Sequence, residues 1–260
     1  MKLLRCSMFI KCVLLSLLFV RMQSIHIQSM SNTVACDLCE DNWMFVIGTG
    51  RSGSTTIFSM LNAVPGIFIS GENNGVMNSL MALWDSLHRQ ETLGRNTFAW
   101  AHPAIDKQSV LCTMQLYVKQ ILGQYDTLST QLLGFKEIRH QSLDKLDFFR
   151  TLFPCAKFII NYRKNIEAQS RSAFYRKELP SVAMAMLTSG TKNISTWASQ
   201  HPESTFLMPL EQFSVKRFNR LLKWIGVSNC KYIAMYHTNP RNTYRANISA
   251  NVLSGDCLMK

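Results

Sequence analysis

The 260-residue chain is short of acid, with 16 Asp and Glu against 28 Lys and Arg and a formal charge of +12. Such an excess points to an anionic partner: nucleic acid, a membrane surface, a nucleotide or an acidic acceptor. The cations are spread singly, with no block of five consecutive basic residues, which argues against a nucleic-acid stripe. Proline (7) and glycine (12) are scarce while 47% of residues are apolar, so neither a disordered tail nor a small disulfide knot fits. The length and apolar content suit one sizeable core. No apolar run reaches the roughly 20 residues of a spanning helix. Cys36-Asp37-Leu38-Cys39 has zinc-pair spacing, but no second C-x-x-C or H-x-x-x-H completes four ligands, and no metal is expected.

At the N-terminus, Lys2, Arg5 and Lys11 precede a nine-residue apolar run, Cys12 to Val20, followed by Arg21. This is secretory-signal architecture, and with Lys11 snorkelling it also serves as a weak signal anchor and membrane attachment. Residues 1–28 are therefore read as signal peptide or signal anchor, 29–42 as linker and 43–260 as the folded domain. Beyond the signal, Cys36, Cys39, Cys112, Cys155, Cys230 and Cys257 permit complete pairing in any of 15 connectivities. Asn193-Ile194-Ser195 and Asn247-Ile248-Ser249 are glycosylation acceptors usable in a lumen.

Short apolar runs at Trp43 to Gly48, Ile67 to Ser70, Leu132 to Phe135, Lys157 to Tyr162 and Thr205 to Met208 read as strands. Helical patterns at Ser54 to Leu61, Val110 to Leu122 and Phe218 to Ile225 alternate with them. Alternation of this kind predicts an α/β fold, a parallel sheet flanked by helices on both faces. The first strand runs into Gly48-Thr49-Gly50-Arg51-Ser52-Gly53-Ser54-Thr55, close to the triphosphate loop G-x-x-x-x-G-K-[ST], except that Ser54 stands where lysine belongs. Loop amides and the helix N-terminus still suit an anion. The equipment for metal-assisted triphosphate cleavage is incomplete.

Gly50 to Thr55 resembles the 5′-phosphosulfate loop of sulfotransferases, near the R-S-G-[ST]-[ST] form of the Golgi members. The resemblance implies a P-loop nucleotide-kinase-like fold and 3′-phosphoadenylyl sulfate as co-substrate, held by Arg51, Ser52, Gly53, Ser54 and Thr55. The strand ending in Arg163, followed by a serine-bearing helix, resembles the family's 3′-phosphate site. Where the family has serine eight residues after that arginine this chain has Arg171, flanked by Ser170 and Ser172; Ser172 is preferred, assuming one inserted residue.

Gly66 to Gly75 places Glu72 beyond the second strand, 21 residues after Arg51. Glu72 and its surroundings resemble those of the tyrosylprotein sulfotransferases, which implies a general base there. Lys136, in a segment like the family's K-[DE]-P but with Ile138 for proline, is expected to stabilise transferring charge, or else to pair with Glu137 or Glu72. His140 is the alternative base. Phe206 to Phe213 and Leu221 to Val227 resemble a further strand, turn and helix end, and residues 229–260, with Arg241 and Arg245, a tail closing over the nucleotide.

The reading is a sulfotransferase domain moving a sulfuryl group to a hydroxyl acceptor, a glycan or a protein tyrosine, without metal and in the Golgi lumen of the secretory pathway. Its competitors are a kinase-like enzyme using ATP and a non-catalytic lumenal nucleotide-binding relative. If the N-terminal reading holds, the chain expressed in its native cell type is protected from protease in isolated vesicles until detergent is added, and glycosidase shifts its mobility through Asn193 or Asn247. Full digestion without detergent overturns it.

Overall fold

The computed structural model describes residues 36–93, 106–236 and 252–259. By its contacts the chain divides into Met1–Asp37 and Leu38–Lys260, and the second unit carries the fold. The signal segment, most of the linker, Arg241, Arg245 and Asn247 lie outside the described residues. Among the described residues no helix is long and apolar enough to cross a membrane.

The elements follow in the order β1 (Trp43–Gly48), α1 (Ser54–Asn62), β2 (Ile67–Ser70), α2 (Val76–Leu93), α3 (Lys107–Ile121), β3 (Leu132–Glu137), α4 (Leu143–Leu152), β4 (Lys157–Asn161), α5 (Ile166–Ser170), α6 (Pro180–Gln200), β5 (Thr205–Leu207), α7 (Val215–Ile225), β6 (Val227–Tyr232) and β7 (Leu253–Met259). Single 3₁₀ turns occupy Ala173–Tyr175 and Leu210–Gln212. β1 to β5 form one parallel sheet in the order β2-β3-β1-β4-β5.

Alternation along the central strand divides its side chains between two cores. Trp43, Phe45 and Ile47 pack with Phe135, Phe149, Phe158 and Trp197 on one face. Met44 and Val46 pack with Ile57, Leu61, Ile159 and Leu221 on the other. Both faces of β1 are thus sealed, which is why it reads as one unbroken apolar run. α2, α3, α4 and α6 cover the first face, and α1 and α7 the second.

β1 lies between β3 and β4, so the chain leaves it towards one edge through α1 and β2 and later returns on its other side as β4. Reversal of strand order opens a crevice beyond the carboxyl ends of the central strands. The glycine loop, Lys136 and Arg163 all stand at those ends.

The described parts of the tail, residues 229–236 and 252–259, are tied down. β6 and β7 form an antiparallel ribbon with a register shift at Ser228/Cys230 and a Cys230–Cys257 disulfide. The Asn219 amide bonds both the N–H and the carbonyl of Tyr232, whose hydroxyl donates to the Met60 carbonyl at 2.6 Å. A second disulfide, Cys39–Cys155, pins the segment before β1 to the start of β4, and all six cysteines from Cys36 onward are disulfide-bonded.

β3 passes β1 at one point where only glycine fits. A Cβ on Gly134 would lie 1.7 Å from the Met44 carbonyl oxygen, a clash with backbone that cannot turn away. Gly134→Ala is expected to cost about 3 kcal/mol, the upper end of overpacking, and to lower the melting temperature by roughly 6–12 °C. Thermal denaturation of the soluble protein checks this, and an unchanged midpoint would contradict the β1–β3 register.

Candidate active site

A cavity of about 1030 Å³ opens at the carboxyl edge of the sheet. Arg51, Gly53, Ser54 and Thr55 line it from the loop and α1, and Glu72 from the turn after β2. Lys136 and Arg139 line it from the end of β3, and Arg163 and Ser172 from beyond β4. Of the residues expected at the site, only Ser52 is missing from this wall.

Ser52 is fully buried beneath the loop. Its hydroxyl lies 2.6 Å from the Thr49 carbonyl and 2.5 Å from Asn161 Oδ1, and its one proton serves these two acceptors. Asn161 Nδ2 donates in turn to the carbonyls of Ser52 (3.0 Å) and Met208 (2.8 Å). The expectation of a ligand-facing Ser52 side chain is corrected: this hydroxyl fastens the loop to β4, and only the Ser52 backbone remains for a ligand.

Arg51 (φ 64) and Gly53 (φ 88) both adopt left-handed backbone. An arginine there is strained, so the surroundings must hold it. Gly53 answers a second need, because a Cβ would meet Leu210 Cδ1 at 2.7 Å and Phe213 at 2.9 Å. From above, Gln169 Nε2 donates to Thr49 Oγ1 and the Gly50 carbonyl, and the Tyr175 hydroxyl also donates to Gly50. No side chain caps α1 and its first turn holds no acid, so its N-terminal partial charge is left for whatever enters the cavity.

Arg51 and Arg163 make no ion pair among the described residues. Glu211 fixes the turn that carries Arg163 by accepting from the N–H groups of Lys164 (3.0 Å) and Asn165 (3.1 Å). Burial opposes the Glu211 charge, but those N–H groups and the nearby Arg163 outweigh it and hold the carboxyl below its ordinary value. The two serines differ in their contacts. Ser170 donates to the Glu167 carbonyl at 2.9 Å, whereas Ser172 lines the cavity with a buried hydroxyl lacking any partner. Arg171 turns outward to Glu167.

Glu72 receives two cations, Lys136 Nζ at 2.6 Å from Oε1 and Arg139 at 3.2 Å from Oε2. Its bond to Lys136 is the ion pair weighed from sequence. His140 is corrected as a base: it is 1% exposed, packs edge-on against Phe149 and lines no part of the cavity. Its neighbour Glu137 is wholly buried and accepts from the N–H groups of Ile138 (2.8 Å) and Arg139 (3.0 Å). Glu137 faces His140 at 3.7 Å, too far for a hydrogen bond but near enough for attraction. Asn161, Gln169, Glu211 and Arg139 were not read from sequence, and Glu137 was read only as a possible partner of Lys136. A polar residue closing an apolar strand was the one available sign, at Asn161 and Glu137.

Burial alone would push the Glu137 carboxyl up, yet His140 and the two N–H groups hold it below its ordinary value of 4.5. A carboxyl lowered on folding stabilises the protein above its unfolded pKa, and that contribution is lost as pH falls through the folded value. The melting temperature should therefore fall once pH drops below about 4.5. Glu137→Gln should melt lower at pH 7 and fall less steeply in acid. Equal acid slopes in melting curves for the two proteins would contradict the pairing.

Comparison with known proteins agrees with this geometry. Residues 44–204, more than half of the chain, match the model of the sulfotransferase family. No curated protein sequence matches. Among solved structures, the sulfotransferase domain of the curacin biosynthetic pathway is similar at 16% identity and a TM-score of 0.46, covering 72% of this chain and 74% of its own. That of the Synechococcus olefin synthase is similar at 16% and 0.47, covering 73% and 75%. A sulfotransferase of Alicyclobacillus acidocaldarius follows at 13% and 0.43, covering 73% and 82%. The assignment rests on the family match, read together with the five-stranded parallel sheet and its loop: the chain belongs to the sulfotransferase family.

Proposed function

We propose that the chain transfers a sulfuryl group from 3′-phosphoadenylyl sulfate to a hydroxyl of a carbohydrate or a protein tyrosine. The observation that carries the donor is that Arg163 and Ser172 line one cavity and, among the described residues, the arginine makes no ion pair and the buried hydroxyl has no partner. Such a pair suits a phosphate set apart from the one at the glycine loop. The remaining donor set fits as well, since Arg51, Gly53, Ser54 and Thr55 line the cavity and no side chain caps the N-terminus of α1 there. ATP suits the site less, because Ser54, buried at the loop's lysine position, brings no charge to a γ-phosphate.

When bound, the donor supplies the sulfuryl group and the 3′,5′-bisphosphate that departs. Arg163 and Ser172 hold its 3′-phosphate; Arg51 and the N–H groups of Gly53, Ser54 and Thr55 hold the 5′ end. Glu72 takes the proton from the acceptor hydroxyl, which is what makes that oxygen a nucleophile. Lys136, almost sealed against β3, offers its ammonium to the oxygens where charge gathers during transfer. The setting is a lumen of the secretory pathway, a placement supported by six disulfide-bonded cysteines, which persist only under oxidising conditions.

Two ligands separate the 3′-phosphate from the rest of the nucleotide. Arg163→Ala should weaken 3′,5′-adenosine bisphosphate by roughly ten- to hundredfold, the loss of one charged hydrogen bond of about 1.5–3 kcal/mol. Adenosine 5′-phosphate should bind the variant nearly as before, and ATP with magnesium should bind the wild type more weakly than the bisphosphate. Calorimetry decides; equal losses for both adenosine ligands would remove Arg163 from the 3′ site. Transfer of labelled sulfate to a panel of a tyrosine peptide, 2-naphthol and N-acetylglucosamine then identifies the acceptor class.

A further inference from the structure

Glu72 sits on a turn rather than in the sheet, beyond the short strand β2, and 27% of its side chain is exposed. A base in such a place needs tethers, since proton abstraction depends on its angle and reach. The two tethers differ in kind. Lys136 Nζ holds Oε1 at 2.6 Å and is itself nearly buried, its side chain 11% exposed. Arg139 holds Oε2 at 3.2 Å from the rim, 49% exposed.

Lys136 both pairs with Glu72 and lines the cavity, so its ammonium is shared between Oε1 and the oxygens of the transferring group. Once its ammonium turns towards donor oxygens, Oε1 is left open to a proton and only Arg139 still grips the carboxylate. Arg139 is well placed for this. Its N–H and that of Ile138 donate to Glu137 Oε1, which is buried and cannot follow solvent, and its guanidinium lies 3.9 Å from the same oxygen. From this geometry we infer that Arg139 is the positioning residue of the base, that Oε2 stays on Arg139 throughout, and that Oε1, vacated by Lys136, is the oxygen that receives the acceptor's proton. The hydroxyl O–H bond breaks, its pair of electrons remains on the acceptor oxygen, and Glu72 becomes the neutral acid. The inference rests on Glu72 being the base.

A double-mutant cycle tests it, with Arg139→Gln, Arg139→Lys, Glu72→Gln and Arg139→Gln combined with Glu72→Gln. Turnover is measured with 3′-phosphoadenylyl sulfate and the fastest acceptor of the panel, alongside the dissociation constant for 3′,5′-adenosine bisphosphate and the melting temperature. Arg139→Gln should lower kcat by roughly 10- to 100-fold with bisphosphate affinity within about twofold, and Arg139→Lys should recover most of it. In the Glu72→Gln background the same change should cost less than about threefold, because its only target is gone. A loss of equal size in both backgrounds, or a fall in bisphosphate affinity that matches the fall in kcat, would overturn the positioning role while leaving Glu72 as the base. Undiminished turnover of folded Glu72→Gln would overturn both.

Discussion

Everything at the carboxyl edge depends on one buried side-chain amide. Asn161 closes β4 with its donors spent on the Ser52 and Met208 carbonyls and its oxygen facing the Ser52 hydroxyl. Left to itself, the loop would not keep Arg51 in left-handed backbone, a conformation that costs on the order of 1–3 kcal/mol. Three polar contacts sealed from water offset that strain, because breaking any of them strands a buried group. The loop is thereby fixed to two strands at once, and its amides face the cavity before any ligand arrives. Preorganised donors of this kind need no rearrangement at the moment of reaction.

The second constraint is charge. Arg51, Lys136, Arg139 and Arg163 converge on one cavity whose wall carries a single carboxylate, Glu72. Four cations so close repel one another, and the chain has few acids with which to relieve them. It places those few with economy. Glu72 sits between Lys136 and Arg139, Glu137 anchors the backbone of Arg139, and Glu211 anchors the turn of Arg163. Among the described residues Arg51 and Arg163 make no ion pairs, so no paired carboxylate offsets their charge there. The scarcity of acid that opens the sequence is thus a condition of the site, and the same excess draws an anion in at a distance.

The sheet was legible because its central strands are buried on two faces, so Trp43 to Gly48 and Lys157 to Asn161 stand out as unbroken apolar runs bounded by turns. Glu72, Lys136 and Arg163 were found through the family resemblance, and their places after β2, near the end of β3 and after β4 agreed with a crevice at the carboxyl edge. Strand order was not legible, because pairing across the chain leaves no local mark. α6 escaped because the stretch from Pro180 to Thr191 is uncharged and built of small, neutral and apolar residues, which blurs a helical period. Ser52 misled because a hydroxyl near a phosphate loop looks the same whether it holds a ligand or holds the loop. Only the partner tells the two apart, and Asn161 lies 109 residues further along the sequence.

Donor and acceptor sides differ in what holds them. On the donor side the loop, Asn161 and Gln169 are buried and bonded to strands, so the shape is set by the same packing that makes the fold. Packing of that sort ties residue identity to local pattern, which is why a short stretch such as Gly50 to Thr55 already carries a family resemblance. On the side proposed for the acceptor the groups stand at the rim: Glu72 on the turn after β2, and Arg139 half exposed. Rim residues answer to whatever docks there, so they are free to differ between enzymes that share one donor. Under the proposed mechanism the two halves are coupled through Lys136, which belongs to β3 and reaches the Glu72 carboxylate. A single ammonium that serves either partner would then make the base available when the donor's charge is present, linking the shared chemistry to the variable acceptor.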